Sequence, residues 1–230
     1  IKNGFSITTD ENKTYQAKTL VYATGKKPRK LNVAGEAEYT GKGVTYCATC
    51  DSPLFSGEKV AVIGGGNVAT DAARSAIRLG AKQVDMIYRR TRKEMPASDE
   101  EIDGCIDEGV NIIYLAAPNK VLTEGKLLKL ECVRMQLGEP DASGRQRPVP
   151  IQGSEFTESY DTIISAIGQT ADVPDNFNIE CAKGNKLPVG KDRATIKDRV
   201  FGGGDAVSGP ATIIEAIASG RAGAIAIDKY

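Results

Sequence analysis

The chain has 230 residues, enough for one large domain or two small ones with a sizeable core. Its 30 basic and 30 acidic residues balance, which provides no global field for nucleic acid or an anionic membrane surface. Histidine is absent, which excludes Ser-His-Asp and Cys-His nucleophiles and His-ligated zinc, and leaves Asp, Glu, Tyr, Lys or Cys for any proton transfer.

In chain order, residues 5–9 alternate apolar and polar, and residues 18–23 form a second strand candidate, so a hairpin or small meander is expected. Residues 26–39, with Pro28 and Gly35, read as a connection. An apolar strand at 59–63 runs into Gly64-Gly65-Gly66, a helix over about 67–79 and a second strand at 84–88: a βαβ unit. The helix stripe is expected at Val68, Ala72, Ala76 and Leu79, with Ala69, Ala73 and Ile77 alongside, and Gly80 is a plausible stop. Ser98 and Glu101 suggest a capping box before a short helix with Ile102, Cys105 and Ile106 inward. Residues 110–115 read as a strand, 120–136 as a hairpin around Glu124-Gly125, 137–150 as a surface loop, and 161–166 as a further strand. Residues 171–199 are mixed, with a weak strand signal at 194–196. Residues 200–205 end a strand in a glycine turn. Pro210 then stands where the first turn of an apolar helix would place it, and Gly220 and Gly223 within that helix suggest close packing. The segment contains no apolar run of the roughly 18 residues that a spanning helix needs and no visible sorting signal, so a cytoplasmic protein is expected. It opens on Ile1, inside an apparent strand, so a fragment of a longer chain is expected.

Gly64-x-Gly66-x-x-Ala69 between strand and helix matches a dinucleotide fingerprint, in which glycines let the backbone approach a pyrophosphate at a helix N-terminus. The competing reading is an ordinary tight turn. An NAD site usually carries an acid at the end of the next strand. Here Arg89-Arg90 stands there, with Arg92 beyond, and forked guanidinium donors suit a 2′-phosphate. NADPH is expected over NADH, against the alternative of a solvated basic turn. The five cysteines are odd in number and scattered, unlike a secreted framework or a four-cysteine cluster, so no metal is expected. Cys47-x-x-Cys50 can close a redox disulfide, with half a metal site or two structural thiols as the bland readings. Cys105, Cys132 and Cys181 read as buried thiols. Gly202-Gly203-Gly204-Asp205 could hold a sugar or ribitol hydroxyl, or simply turn the chain.

At these residues the sequence resembles the low-molecular-weight thioredoxin reductases. Ala23-Thr24-Gly25, Cys-Ala-Thr-Cys-Asp at 47–51, Gly64-Gly65-Gly66-Asn67, Arg89-Arg90, Ala166-Ile167-Gly168 and Gly203-Gly204-Asp205 fall in that family's order. Residues 84–170 and 200–230 also look similar to the small subunit of glutamate synthase, through YRRTRKEMPA and VFGGGDAVSGPATIIEAIASG. The first resemblance implies an α/β flavoprotein with two Rossmann-like dinucleotide domains, the N-terminal part of the FAD domain missing. Residues 1–45 would be a partial FAD domain and hinge, 46–169 the NADPH domain, and 170–230 the rest of the FAD domain. It implies NADPH on Gly64, Gly65, Gly66, Asn67, Val68, Ala69, Arg89, Arg90, Ile167 and Gly168. FAD would lie on Thr24, Gly25, Gly204, Asp205, Ala211 and Thr212. Cys50 would face the flavin, Cys47 would attack a partner disulfide and Asp51 would be the acid–base. Hinges would lie near 41–46 and 168–170. A thioredoxin-like disulfide protein is the implied partner and a homodimer the implied assembly. The second resemblance implies instead an electron-entry subunit that feeds an iron–sulfur partner.

Overall fold

A computed structural model describes residues 4–48, 55–141, 144–171, 173, 179–182, 186–209 and 211–230. The chain divides into two compact units: residues 28–168, and residues 1–27 with 169–230.

The 28–168 unit is built on a parallel five-stranded sheet. Its strands are β5 (Val44–Thr45), β6 (Lys59–Ile63), β7 (Gln83–Tyr88), β8 (Asn111–Tyr114) and β12 (Thr162–Ser165), in the order β5-β12-β6-β7-β8. Helix α2 (Asn67–Arg78) connects β6 to β7, and α3 (Asp99–Asp107) connects β7 to β8. The crossover from β8 to β12 is an antiparallel sheet of β9 (Ala116–Glu124), β10 (Leu127–Pro140) and β11 (Gln146–Tyr160). A short helix, α1 (Glu36–Tyr39), precedes β5.

The two faces of the sheet follow the period of two of its strands. Val60, Val62, Val84 and Met86 turn to one side and pack with Ala69, Ala72, Ala73 and Ala76 of α2 and with Ile102 and Cys105 of α3. Ala61, Ile63 and Ile87 turn to the other and pack with Leu128, Leu130, Cys132 and Tyr160 of the antiparallel sheet. At the edge of that second core, buried Asp85 accepts hydrogen bonds from Tyr160 Oη (3.0 Å) and Asn111 Nδ2 (2.9 Å). Helix α2 is clipped to α3 by Arg74, whose Nε and Nη1 donate to Glu108 (2.8 Å) and Glu101 (2.7 Å), and by Arg78, which donates to Glu108 (2.8 Å).

In the other unit, β1 (Phe5–Thr8) and β2 (Thr14–Ala17) form an antiparallel hairpin. Strand β3 (Leu20–Tyr22) pairs in parallel with β14 (Val200–Gly202), so the loops after both strands leave from the same sheet end. Strands β4 (Lys26–Pro28) and β13 (Gln169–Ala171) pair. Helices α4 (Asp205–Ser208) and α5 (Ile213–Asp228) follow β14. Leu187, Tyr22 and Ala206 form the local core.

Several expectations change. The first crossing between units falls at residues 27/28, not at 45/46: Val44 and Thr45 bond to β12 and therefore belong to the 28–168 unit, so the 41–46 hinge lies inside it. Residues 137–150 are not a surface loop, because β10 runs to Pro140 and β11 starts at Gln146. The second strand of the expected N-terminal meander pairs with β14 instead. In α2 the buried stripe is Ala69, Thr70, Ala72, Ala73 and Ala76, while Val68 and Leu79 are exposed. Ile106 is exposed on α3. The Ser98 hydroxyl caps α3 as expected, but Glu101 turns to Arg74 rather than completing a box. Helix α5 starts at Ile213, capped by Thr212, so Pro210 precedes it and lies outside the described residues. Among the described residues, nothing outside the helix's own neighbouring backbone lies within 4 Å of a Cβ placed at Gly220 or Gly223, so neither marks a close helix contact there.

Candidate functional site

The sheet order reverses between β6 and β12, and a crevice at the carboxyl ends of strands at such a switch point is where open α/β sheets bind ligands. A cavity of about 500 Å³ opens there, within the range of small-molecule and cofactor sites. The turn after β6 supplies Gly64, Gly65, Gly66, Asn67 and Val68 to its wall, the end of β12 supplies Ile167 and Gly168, and the end of β7 supplies Arg89 and Arg90. Ala69 lies behind the turn, fully buried, and does not line the cavity.

Each glycine has its own reason. A Cβ on Gly64 would stand 2.5 Å from the Ala166 carbonyl oxygen and 2.9 Å from Ala69 Cβ, so strand, turn and helix pack only with a glycine there. A Cβ on Gly65 would fall on the ring of Tyr88, whose hydroxyl donates to the Glu94 carbonyl at 2.6 Å. Gly66 is different: its nearest neighbour among the described residues would be Pro96 Cβ at 3.8 Å, an ordinary van der Waals contact, so a Cβ would fit there without a clash. Gly66 is also the N-cap of α2, with no side-chain cap and no acid in the first turn. The first amides of a twelve-residue helix, with their positive dipole end, therefore meet the cavity with no acid in the helix's first turn.

The rim is basic. Arg29, Arg89, Arg90 and Arg145 line the cavity, and no carboxylate does so among the described residues. Arg29 and Arg145 were missed by sequence reasoning. Arg29 is set by its backbone amide, which donates to Gly168 O at 3.0 Å. Arg89 is exposed at the cavity, yet partial desolvation there lowers its guanidinium from its ordinary range, and the charges of Arg90, Arg29 and Arg145 lower it further. Arg90 is 4 % exposed, and its guanidinium is already engaged, donating to Gln146 O (2.6 Å) and Asp141 Oδ2 (2.7 Å). Arg92 turns away to Asp103 (2.8 Å) and Asp99 (3.4 Å).

The dithiol pair is only half in view. Cys50 and Asp51 lie outside the described residues. Cys47 is not among the free thiols. The segment leading to it is anchored by the β5–β12 pairing, by Cys47 N donating to Thr45 Oγ1 (3.3 Å), and by Tyr46 Oη donating to buried Glu36 (2.8 Å). Burial, then the Glu36 bond and charge, raise the Tyr46 phenol. Burial likewise pushes the Cys105 thiol up to about 11 and Cys132 up to about 12, so both are inert at neutral pH. Cys181 is half-buried rather than buried.

In the other unit, the parallel β3–β14 pair brings Thr24 and Gly25 to the same sheet end as Gly204 and Asp205. Gly25 and Gly204 take positive φ with open space at the Cβ position. Lys26 Nζ is buried with no hydrogen-bond partner among the described residues, and burial lowers its pKa against the raising effect of Asp205. An unmatched ammonium beside loops at strand carboxyl ends fits part of a polar cofactor site. Ala211 and Thr212 are exposed, and the Thr212 hydroxyl is committed to the α5 capping box with Glu215 (2.8 Å).

A family profile described as pyridine nucleotide-disulphide oxidoreductase matches residues 2–220. The chain is 42% identical over 99% of its length to the NADP(+)-dependent formate dehydrogenase subunit beta of Moorella thermoacetica, spanning 33% of that protein. It is 40% identical over 76% of its length to the small chain of NADPH glutamate synthase of Azospirillum brasilense, spanning 37% of it. Among solved structures, the thioredoxin reductase of T. acidophilum superposes over 100% of this chain and 70% of its own, with a TM-score of 0.80 at 25% identity. The chain thus spans about a third of the curated relatives it matches, and no described helix is long and apolar enough to cross a membrane.

Proposed function

The chain belongs to the pyridine nucleotide-disulphide oxidoreductase family, whose members use FAD and NADPH, and from that premise we propose that it is the NADPH-binding part of an FAD-dependent oxidoreductase. One observation carries the reading: a cavity that joins a helix N-terminus without a side-chain cap, and an uncrowded Gly66, to a rim of four arginines. The amides at Gly66–Val68 would hold the pyrophosphate, and Arg89 with its neighbours the 2′-phosphate. Thr24, Gly25, Gly204 and Asp205, with Lys26, would hold part of FAD. When bound, NADPH supplies a hydride and FAD relays the electron pair.

The acceptor proposed first is the chain's own Cys47–Cys50 disulfide. Two electrons and two protons open it to a dithiol. Cys47, as thiolate, then attacks a partner disulfide, and Cys50 resolves the mixed disulfide, so the partner leaves reduced and the pair closes again. Asp51 would pass the protons, a role that a chain without histidine must give to another group. Cys47 not being a free thiol favours this reading. A second reading is favoured by the relatives that are 40% and 42% identical, both named as chains of larger NADPH or NADP(+) enzymes. In it the electrons pass to an iron–sulfur partner and the cysteine pair is idle. A homodimer is kept as part of the proposal.

In the flavin-loaded protein, Cys47→Ser separates the two. The disulfide reading predicts loss of protein-disulfide reduction with NADPH affinity unchanged. Full NADPH-dependent turnover with a one-electron acceptor, and none with any disulfide in the unaltered protein, would discard it for the electron-entry reading.

A further inference from the structure

The β10–β11 hairpin reaches the nucleotide cavity, and nothing in the glycine-turn fingerprint requires it to. Arg145, at the start of the returning arm, is a lining residue although it is far in sequence from Gly64–Gly66. Arg90 ties the end of the hairpin to the parallel sheet. It stands two residues after β7, it is buried, and its fork holds one acceptor on each side of the turn: the Asp141 carboxylate at 2.7 Å and the Gln146 carbonyl at 2.6 Å. The turn is closed by its own backbone, with Asp141 N donating to Arg145 O (2.8 Å) and Gly144 N to Asp141 O (2.8 Å). A planar guanidinium with fixed donors fixes position as well as distance, which an ammonium does not.

Adjacent arginines therefore do different work. Arg90 gives Nε and Nη2 to the hairpin. Arg89 and Arg29 stand exposed at the cavity, with Arg145 beside them. Among the described residues this rim is lined by like charges and by no carboxylate, a setting that suits a multiply charged anion.

We propose that Arg90 is a positioning residue that pins the hairpin through Asp141 and Gln146, and that Arg145, delivered by that pin, joins Arg89 and Arg29 on the phosphate that distinguishes NADPH from NADH. Nucleotide choice then resides partly in the antiparallel crossover rather than wholly in the βαβ unit. The inference rests on the NADPH reading of the cavity, and the test keeps the two apart.

NADPH and NADH are titrated separately into the 230-residue chain by calorimetry. The unaltered chain prefers NADPH. Arg145→Gln weakens NADPH about tenfold, the effect of losing one charge-assisted hydrogen bond, and leaves NADH unchanged. Asp141→Ala, at a residue that does not line the cavity, gives the same one-sided loss. Asp141→Glu, which keeps the carboxylate, restores part of the preference. Should Asp141→Ala fail to fold, Arg145→Gln at its exposed position decides alone. NADPH affinity unchanged in Arg145→Gln, or equal loss of both nucleotides in a folded Asp141→Ala, overturns the inference and leaves the cavity reading standing. An unaltered chain that binds neither nucleotide, or both equally, overturns both.

Discussion

At Gly65 and Gly66, neighbours in one turn, the same substitution should have opposite consequences. Alanine at Gly65 puts a methyl group into the Tyr88 ring, which is buried and tied to Glu94 O, so ring and strand must shift. Overpacking of this kind costs about 1–3 kcal/mol, and Gly65→Ala should lower the denaturant midpoint accordingly. Alanine at Gly66 meets nothing closer than 3.8 Å, and φ is −102°, so the backbone is unstrained. Its penalty is limited to a poorer N-cap, under about 1 kcal/mol. The methyl group would nevertheless occupy the approach to the first amides of α2. Gly66→Ala should therefore keep the melting transition and lose nucleotide affinity, a split visible in one set of melts and titrations.

Helices and strands explain how far the sequence could be read. Strand β6, the glycine turn, α2 and β7 were legible because a buried parallel strand leaves an unbroken apolar run, and the helix after it repeats small residues at helical spacing. The tip half of the β10–β11 hairpin was not. Its residues from Gln146 to Glu155 are exposed or half-exposed, with Pro148 and Pro150 among them, so no alternation marks a buried face. The hydrogen bond from Arg90 to Asp141 spans 51 residues, which no local pattern reports. Two capping boxes, Thr91 with Glu94 and Thr212 with Glu215, carried the T-x-x-E signature and were overlooked. The α2–α3 clip supplies a pH prediction at this scale. Hydrogen bonds from Arg78 first and Arg74 next hold the Glu108 carboxyl down to about 2, against an ordinary 4.5. A lowered folded-state pKa contributes stability above pH 4.5 that is lost as pH falls from there toward 2. Glu108→Gln should remove that part of the acid slope, seen as a shallower fall of melting temperature between pH 4.5 and 2. An unchanged slope would mean that the clip is fully screened by solvent.

For the whole molecule, the two units differ in how the chain builds them. The 28–168 unit is one continuous segment with its own cores on both sheet faces, whereas the other is assembled from two separated segments. All the cavity residues fall within 28–168. That segment expressed alone should fold cooperatively and bind NADPH within about threefold of the whole chain, since a contiguous domain with its own core is expected to stand alone. A segment that folds but has lost the nucleotide would mean that the site needs residues beyond its walls. The account as a whole depends on a phosphate bound by a basic rim, and the dissociation constants of NADPH and NADH for the 230-residue chain, measured at low and at high salt, test this most directly. It predicts NADPH at least about tenfold tighter at low salt, with the gap narrowing as salt screens the arginines. Equal affinities at low salt would contradict it.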